Sequence, residues 1–526
     1  MDAALALIVA ASELGDAAER LGIVAATLLT GAALLAPSTR GRGWAALLAL
    51  ALTPVLLVAD IWDSAPLVSL RDRPAVAGGV VVAGLVAVAA LAVVLRRWPS
   101  LLPLLVVAAL PFRVPISAGG ETANLLVPLY LVIAAGVLAW ALPRVRAEDD
   151  DAPFRPRALE LLLCASIVLY AVQAAYSDDF GHGLRNVVFF YVPFALLFGL
   201  LREVPWTSRL ALRCLGVLVA LAVVFVGIGF VEYARKELLL NPRLIAASQY
   251  ESYFRVNSLF FDPNIYGRFL AMVMLAVAAI VMWTQRTRDV LAGTALLALL
   301  WAGLVLSFSQ SSFTALLVGL AVLAALRWSV RWTLAAVAAG VAIGAGIVLL
   351  APGAINLDLS SSRSADKATS GRLELIEGGA RLFADKPLVG WGSGSFATVF
   401  RIQEEVSEHK ATTASHTIPV TVAAEQGVVG LAVYLALLVA ALARLFAGDV
   451  RRDPLRAYVA AAVVALLVHT MLYAAFLEDP TAWTLLGAGT ALAAAAAPPA
   501  ARRRTRRRDR TRERRRRPRA GAEPAR

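Results

Sequence analysis

The stretch KATTASHTIPVTVAAEQGVVG (410–430) sets one of the chain's four histidines at the polar lip of an apolar segment. Pro419 suits the first turn of a helix and Gly427 its stop, so His416 is expected at or just before the N-terminus of a short helix over 417–426. The positive end of a helix dipole disfavours an imidazolium, so a ring placed there stays neutral near pH 7, as a general base requires. The bland alternative is a capping or loop histidine that does no chemistry. Glu425, nine residues on, falls across the helix from His416 and is expected to cap or support the helix end.

Arginines at the ends of apolar segments form the second set. GHGLRNVVFFYVPF places Arg185 at the start of one, and YFRVNSLFFDPNIYGRFLAM places Arg255 just before another, with Asp262 and Pro263 as N-cap and first turn. Arg268 then lies more than a turn inside that helix, where a charge is costly and points to function unless it snorkels to the interface. Arg372 sits near the start of a further helix, where its charge opposes the dipole and so does not serve helix stability. A guanidinium grips phosphate with two parallel hydrogen bonds and keeps its proton. Several arginines with one neutral histidine therefore suit a lipid diphosphate leaving group and an activated acceptor hydroxyl. Asp178 and Asp179 would suit a divalent metal, although paired aspartates in a short loop more often cap a helix or face water. The chain has no phosphate-binding P-loop, dinucleotide fingerprint or HExxH motif, and GWGSGSF (390–396) has no preceding strand and reads as loop geometry. No metal and no cofactor is expected.

The elements that position these residues follow from composition. Hydrophobic residues make up 59% of the 526, charged residues only 17%, and the mean hydropathy is +0.72. That balance excludes a soluble domain, and apolar stretches long enough to cross a roughly 30 Å hydrocarbon core recur along the chain. The expected fold is all-α and polytopic, with about 12–15 transmembrane helices. A net charge of +13 would suggest nucleic acid, but much of it lies in the final ARRRTRRRDRTRERRRRPRA. A disordered basic tail beside a membrane helix is a topology signal and a binder of anionic lipid, and no nucleic-acid partner is expected. With the tail in the cytoplasm, alternation puts Arg40/Arg42, Arg96/Arg97, Arg144/Arg146/Arg155/Arg157, Arg202/Arg209/Arg213, Arg286/Arg288, Arg327/Arg331 and Arg451/Arg452/Arg456 on the same side. Cys164 and Cys214 make neither a metal spacing nor a disulfide framework. The N-terminus lacks the basic start of a cleaved signal peptide.

One segment breaks the rhythm. The organisation read from the chain is a multispan region over 1–351, a polar extracytoplasmic loop over 352–426, further spans over 427–499 and the basic tail over 500–526. Within the loop, Leu373, Ile376, Ala380 and Phe383 fall at helical spacing before the breakers Pro387 and Gly390. That spacing predicts an amphipathic helix on the membrane surface or over a cavity. A loop this long in a compact membrane domain is usually functional.

The run SGRLELIEGGARLFADKPLVGWGSGSF followed by SHTIPVTVAAEQGVVGLAVYLALL resembles the signature region of the O-antigen ligase/polymerase superfamily. RVNSLFFDPNIYGRFLAM is similar to that family's upstream arginine-containing segment, and the resemblance is clearest over about residues 250–435. It implies a membrane glycosyltransferase of the GT-C type that works without nucleotide sugar or metal. Such an enzyme moves a glycan from an undecaprenyl-diphosphate donor to a glycan, glycolipid or protein acceptor on the extracytoplasmic face. The resemblance puts the catalytic histidine at His416 and a diphosphate-binding arginine at Arg372, leaves Arg255 and Arg268 both open as a second arginine, and does not reach Arg185. Two departures stand out: Thr417 follows the histidine where many members have asparagine, and SFSQSSF carries Gln310 where the family has arginine.

The leading expectation is cell-envelope polysaccharide assembly by a multi-pass enzyme in a bacterial plasma membrane. High Ala, Val and Arg usage fits a GC-rich bacterial gene. The competing class is a transporter or flippase of lipid-linked saccharide, which would spread ionisable residues through the depth of the bundle.

Overall fold

The computed structural model describes residues 2–60, 62, 68, 72–118, 121–146, 156–240, 254–350, 372–404, 415, 417–473 and 476–496. His416 and the basic tail lie outside the described residues. Ten helices among those described are long and apolar enough to cross a membrane, and two shorter apolar helices, Ala158–Ala174 and Pro454–Thr470, accompany them. The chain is an all-α polytopic membrane protein, with one antiparallel hairpin, β1 (Val114–Ala118) and β2 (Glu121–Leu125), among its helices.

In chain order the helices are α1 (Asp2–Leu35), α2 (Thr39–Asp60), α3 (Pro74–Arg97), α4 (Leu101–Ala109), α5 (Val127–Arg146), α6 (Ala158–Ala174), α7 (Phe180–Asn186), α8 (Val192–Leu201) and α9 (Ser208–Arg235). There follow α10 (Pro263–Trp283), α11 (Thr287–Ser307), α12 (Gln310–Arg327), α13 (Val330–Leu350), α14 (Arg372–Asp385), α15 (Phe396–Gln403), α16 (Ile418–Leu445), α17 (Pro454–Thr470) and α18 (Pro480–Ala495). A π-helical turn, Val187–Tyr191, joins α7 to α8.

Burial sorts these helices. The α10 span and the span running from α7 through α8 are mostly enclosed by other helices, whereas α3 presents almost all of its valine and alanine surface outward. Apolar residues all round suit both cases, because lipid and protein interior demand the same chemistry. Helices approach closely at small residues: Gly303 of α11 faces Val226 and Tyr266, and Gly319 of α12 faces Leu275 and Ala465.

The two ends of the bundle differ in charge. At one, Arg42 and Arg144 meet Glu203, Arg327 Nε donates to the Met282 carbonyl, and Trp283 Nε1 donates to the Arg451 carbonyl. Arg42 and Arg144, which alternation groups by sequence, therefore meet in space at Glu203. At the other end lie Asp60, Asp179, Asp262, Glu425, Glu478 and Asp479 with α14 and α15.

The amphipathic helix is present as α14, starting at Arg372, but its buried residues are Leu375, Gly378, Gly379 and Leu382, and Ala380 is exposed. The register differs from the sequence expectation because the glycine pair, not alanine, makes the contact: Gly378 receives the Phe400 ring, and Gly379 receives Val420 and Phe396. Thus α14 packs on α15 and α16 and joins a small apolar core with Phe396, Val399, Phe400 and Trp391.

Candidate functional site

Asp262 caps α10 by accepting from the Asn264 N–H at 2.6 Å, with Pro263 in the first turn as the sequence suggests. The approach to that cap is held by Glu232 of α9, whose carboxylate accepts from the backbone N–H groups of Leu239, Asn257 and Ser258. Arg255 is fixed by the same turn: its Nε donates to the Ser307 carbonyl at 3.1 Å and its Nη2 to Asn264 Oδ1 at 3.2 Å. Around it, Ser309 bonds Asn264, Ser311 and Ser312, and Ser311 lies 3.3 Å from His469 Nε2. The segment SFSQSSF is therefore a buried hydroxyl turn that caps α12 through Ser309.

One turn further along α10 from Asn264, Arg268 is 5% exposed and does not snorkel. Its Nη1 lies 3.1 Å from Asp479 Oδ2, close enough to be an ion pair but without the alignment of a hydrogen bond, and both atoms lack a hydrogen-bond partner. The other Asp479 oxygen is occupied, accepting from the Thr481 N–H as the cap of α18. Arg113, in the short connection between α4 and β1, shares this place. Burial, reinforced by the charge of Arg268, holds its guanidinium below its ordinary range, which Asp479 only partly offsets. Two guanidiniums with one carboxylate leave a net positive pocket.

Arg113, Arg268 and Asp479 stand at one end of a cavity of about 320 Å³. It runs along α10 through Phe269, Met272, Val273, Ala276 and Ile280, and reaches Ser208 and Asp453 at the arginine-rich end. No residue charged at neutral pH lines it between those ends; the titratable side chains along it, Cys214 and Tyr458, are neutral. This geometry accommodates an anionic head with a long apolar tail.

A second cavity, about 290 Å³, lies beyond the 476–480 segment, between Tyr170, His182 and Asn186, the first turns of α16, and Glu478. Glu425 borders it with both oxygens engaged, Oε2 accepting from the Gly394 N–H at 2.9 Å and Oε1 from the Phe396 N–H at 3.0 Å. It caps α15, not its own helix. The α16 backbone breaks at Gly427, and the freed carbonyls of Ala424 and Glu425 accept from the Trp391 and Gly392 N–H groups. The GWGSGSF loop is thus shaped to wrap the broken helix, with Gly390, Gly392 and Gly394 all at positive φ.

Residues beside position 416 are fixed at this end. Thr417, the N-cap residue of α16, donates through Oγ1 to the Met471 carbonyl at 3.1 Å, and the Ser415 N–H donates to Thr421 Oγ1 at 3.0 Å. Arg372 is the first residue of α14. Arg185 is elsewhere: it pairs with Asp60 at 3.3 Å and lines neither cavity. Asp179 caps α7 through the His182 N–H and accepts from Thr398 Oγ1 at 2.7 Å, the capping role that competed with metal binding in the sequence.

Residues 295–435 match the O-antigen ligase family. The match bears out the resemblance read from the sequence and covers α12, α14, α15, the broken helix and its glycine loop. No curated protein matches the chain. The O-antigen ligase match supports glycan ligation or polymerisation in cell-envelope polysaccharide assembly by a multi-pass membrane enzyme. Arg113 and Glu478, outside the matched segment, were not singled out from the sequence. Arg113 does carry a related signal, an arginine at the end of an apolar stretch where Arg185 and Arg255 stand at the start of one.

Glu478 offers a pH test. Burial raises its carboxyl to about 7, against the ordinary range near 4.5. The folded state then holds the proton more tightly than the unfolded chain, so stability is highest below pH 4.5 and falls as pH rises to 7. Glu478→Gln is expected to remove that decline, gaining on the order of 1–3 kcal/mol over wild type at pH 8 relative to pH 5. Thermal unfolding of both proteins across that range checks it, and parallel profiles would show that Glu478 titrates normally.

Proposed function

We propose that the chain transfers a glycan from an undecaprenyl-diphosphate donor to an acceptor hydroxyl, at the carboxylate-bearing end of the bundle. The supporting observation is the pairing of Arg113 and Arg268 at the head of a long uncharged cavity. The diphosphate takes the two guanidiniums and the polyprenyl chain lies along α10. Arg255, held beside Asn264 at the start of α10, and Arg372, the first residue of α14, are assigned to the same diphosphate. The second cavity, bordered by Ile418 and Thr421, admits the acceptor. The acceptor oxygen attacks the anomeric carbon, the bond from that carbon to the diphosphate oxygen breaks, and the leaving diphosphate takes the electron pair. His416 receives the hydroxyl proton, and no metal is needed in this scheme because the arginines carry the leaving charge. Arginines gathered at the opposite end support a cytoplasmic assignment for that end, and with it a reaction on the extracytoplasmic side of a bacterial plasma membrane.

The test is release of polyprenyl diphosphate from a lipid-linked oligosaccharide by purified protein, with and without EDTA, in wild type and His416→Ala. The expected result is EDTA-indifferent release by wild type and at least a hundredfold loss in the variant. Undiminished transfer by the variant would remove His416 as the base. EDTA-sensitive release would return attention to a metal, and donor movement across the bilayer without release would favour a transporter.

A further inference from the structure

The arginine-rich end holds a third cavity, about 530 Å³, between α3, α4, α5, α8 and α9. Four arginines line it, Arg96, Arg144, Arg209 and Arg213, with the single carboxylate Glu203. That carboxylate is already committed: it lies 2.5 Å from Arg42 and 2.7 Å from Arg144, and accepts from Trp140 Nε1 at 2.7 Å. Arg96, Arg209 and Arg213 make no ion pair or hydrogen bond with the described residues. Thr207 and Arg209 bring the first turn of the long helix α9 to the same wall, where its dipole adds positive potential. The remaining walls are apolar, from Leu95, Leu102, Leu200 and Leu210.

We propose that this cavity binds an anionic phospholipid of the adjoining leaflet, its phosphodiester held by Arg96, Arg209 and Arg213 and an acyl chain lying on the leucine walls. Positive inter-helix cavities with apolar walls have the chemistry that recognises such lipids. The acidic run Glu148–Asp151 is the competing occupant, but carboxylates do not fill apolar walls. The site is separate from the transfer chemistry and stands whether or not that reading holds.

Native mass spectrometry of the full chain in neutral detergent tests it, with dioleoylphosphatidylglycerol, dioleoylphosphatidylcholine and inorganic phosphate as probes. Phosphatidylglycerol is expected to bind at least tenfold more tightly than phosphatidylcholine, without competition from equimolar phosphate. Arg96→Gln/Arg209→Gln/Arg213→Gln loses that preference, whereas Arg286→Gln/Arg288→Gln, at the same end but outside the cavity, keeps it. The basic tail is common to all, so only differences between proteins are read. Equal loss in both variants, equal binding of the two lipids, or displacement by phosphate would overturn the proposal. So would binding that appears only after Asp149→Asn/Asp150→Asn/Asp151→Asn. Should the triple variant misfold, Arg209→Gln and Arg213→Gln singly are expected to weaken phosphatidylglycerol severalfold, and no change in either would overturn it.

Discussion

Arg268→Met is expected to lower glycan transfer about a thousandfold and to destabilise the protein by about 3–5 kcal/mol, and the two effects have separable causes. The stability loss comes from Asp479, 3% exposed, which the substitution leaves as a buried charge without its partner. The catalytic loss comes from the guanidinium itself, whose Nη1 has no aligned partner and borders the cavity. Arg268→Met/Asp479→Asn separates them. Asparagine removes the stranded charge and still accepts from the Thr481 N–H, so most of the stability returns. Transfer does not return, because nothing replaces the positive group opposite the leaving diphosphate. Recovery of transfer in the double variant would mean that Arg268 is only one half of a structural ion pair. Arg113→Gln is the companion test: it removes a like-charged neighbour of Arg268, so transfer falls while stability holds or rises.

Local chemistry was legible in the sequence, and contacts between distant segments were not. Asp262–Pro263 and Pro419–Gly427 act within one turn of backbone, and each marks the helix boundary it suggested. The polytopic fold followed from hydropathy, since a helix that must satisfy its own backbone in lipid leaves few alternatives. Arg268 was recognisable as a costly charge, but its partner Asp479 lies in FLEDP, which reads simply as an acidic outer loop. Glu425 was expected to support a helix end and does, yet the end belongs to α15, reached only when the chain folds back. Arg185 carried the same sequence signal as Arg255, and only the bundle shows that it faces Asp60. The register of α14 was misread for a physical reason: spacing rules count apolar side chains, and its tightest contacts are made by two glycines that have none.

The break in α16 makes the second large prediction. Gly427 has φ 63° and ψ −164°, a region essentially closed to residues with a side chain. The strain is matched by obstruction, because a Cβ at this position would overlap the Leu388 carbonyl and the Val389 nitrogen. Around it the chain depends on the break: the Val428 N–H donates to the Pro387 carbonyl at 2.7 Å, and Gln173 Nε2 donates to the carbonyls of Gln426 and Val389 at 3.2 Å each. Gly427→Ala is therefore expected to cost about 3 kcal/mol or more and to abolish measurable transfer. It would either straighten α16, withdrawing the carbonyls that hold the glycine loop, or expel 387–395 from its seat. Both outcomes dislodge Gly394 and Phe396 from Glu425 and free α15. Gly84→Ala in the outward-facing α3, where an added methyl meets nothing, supplies the comparison and is expected to keep full activity. Unfolding temperature and diphosphate release, measured on both variants, decide the matter. An active Gly427→Ala would show that the break in α16 is dispensable, and with it the seat we assign to the catalytic loop.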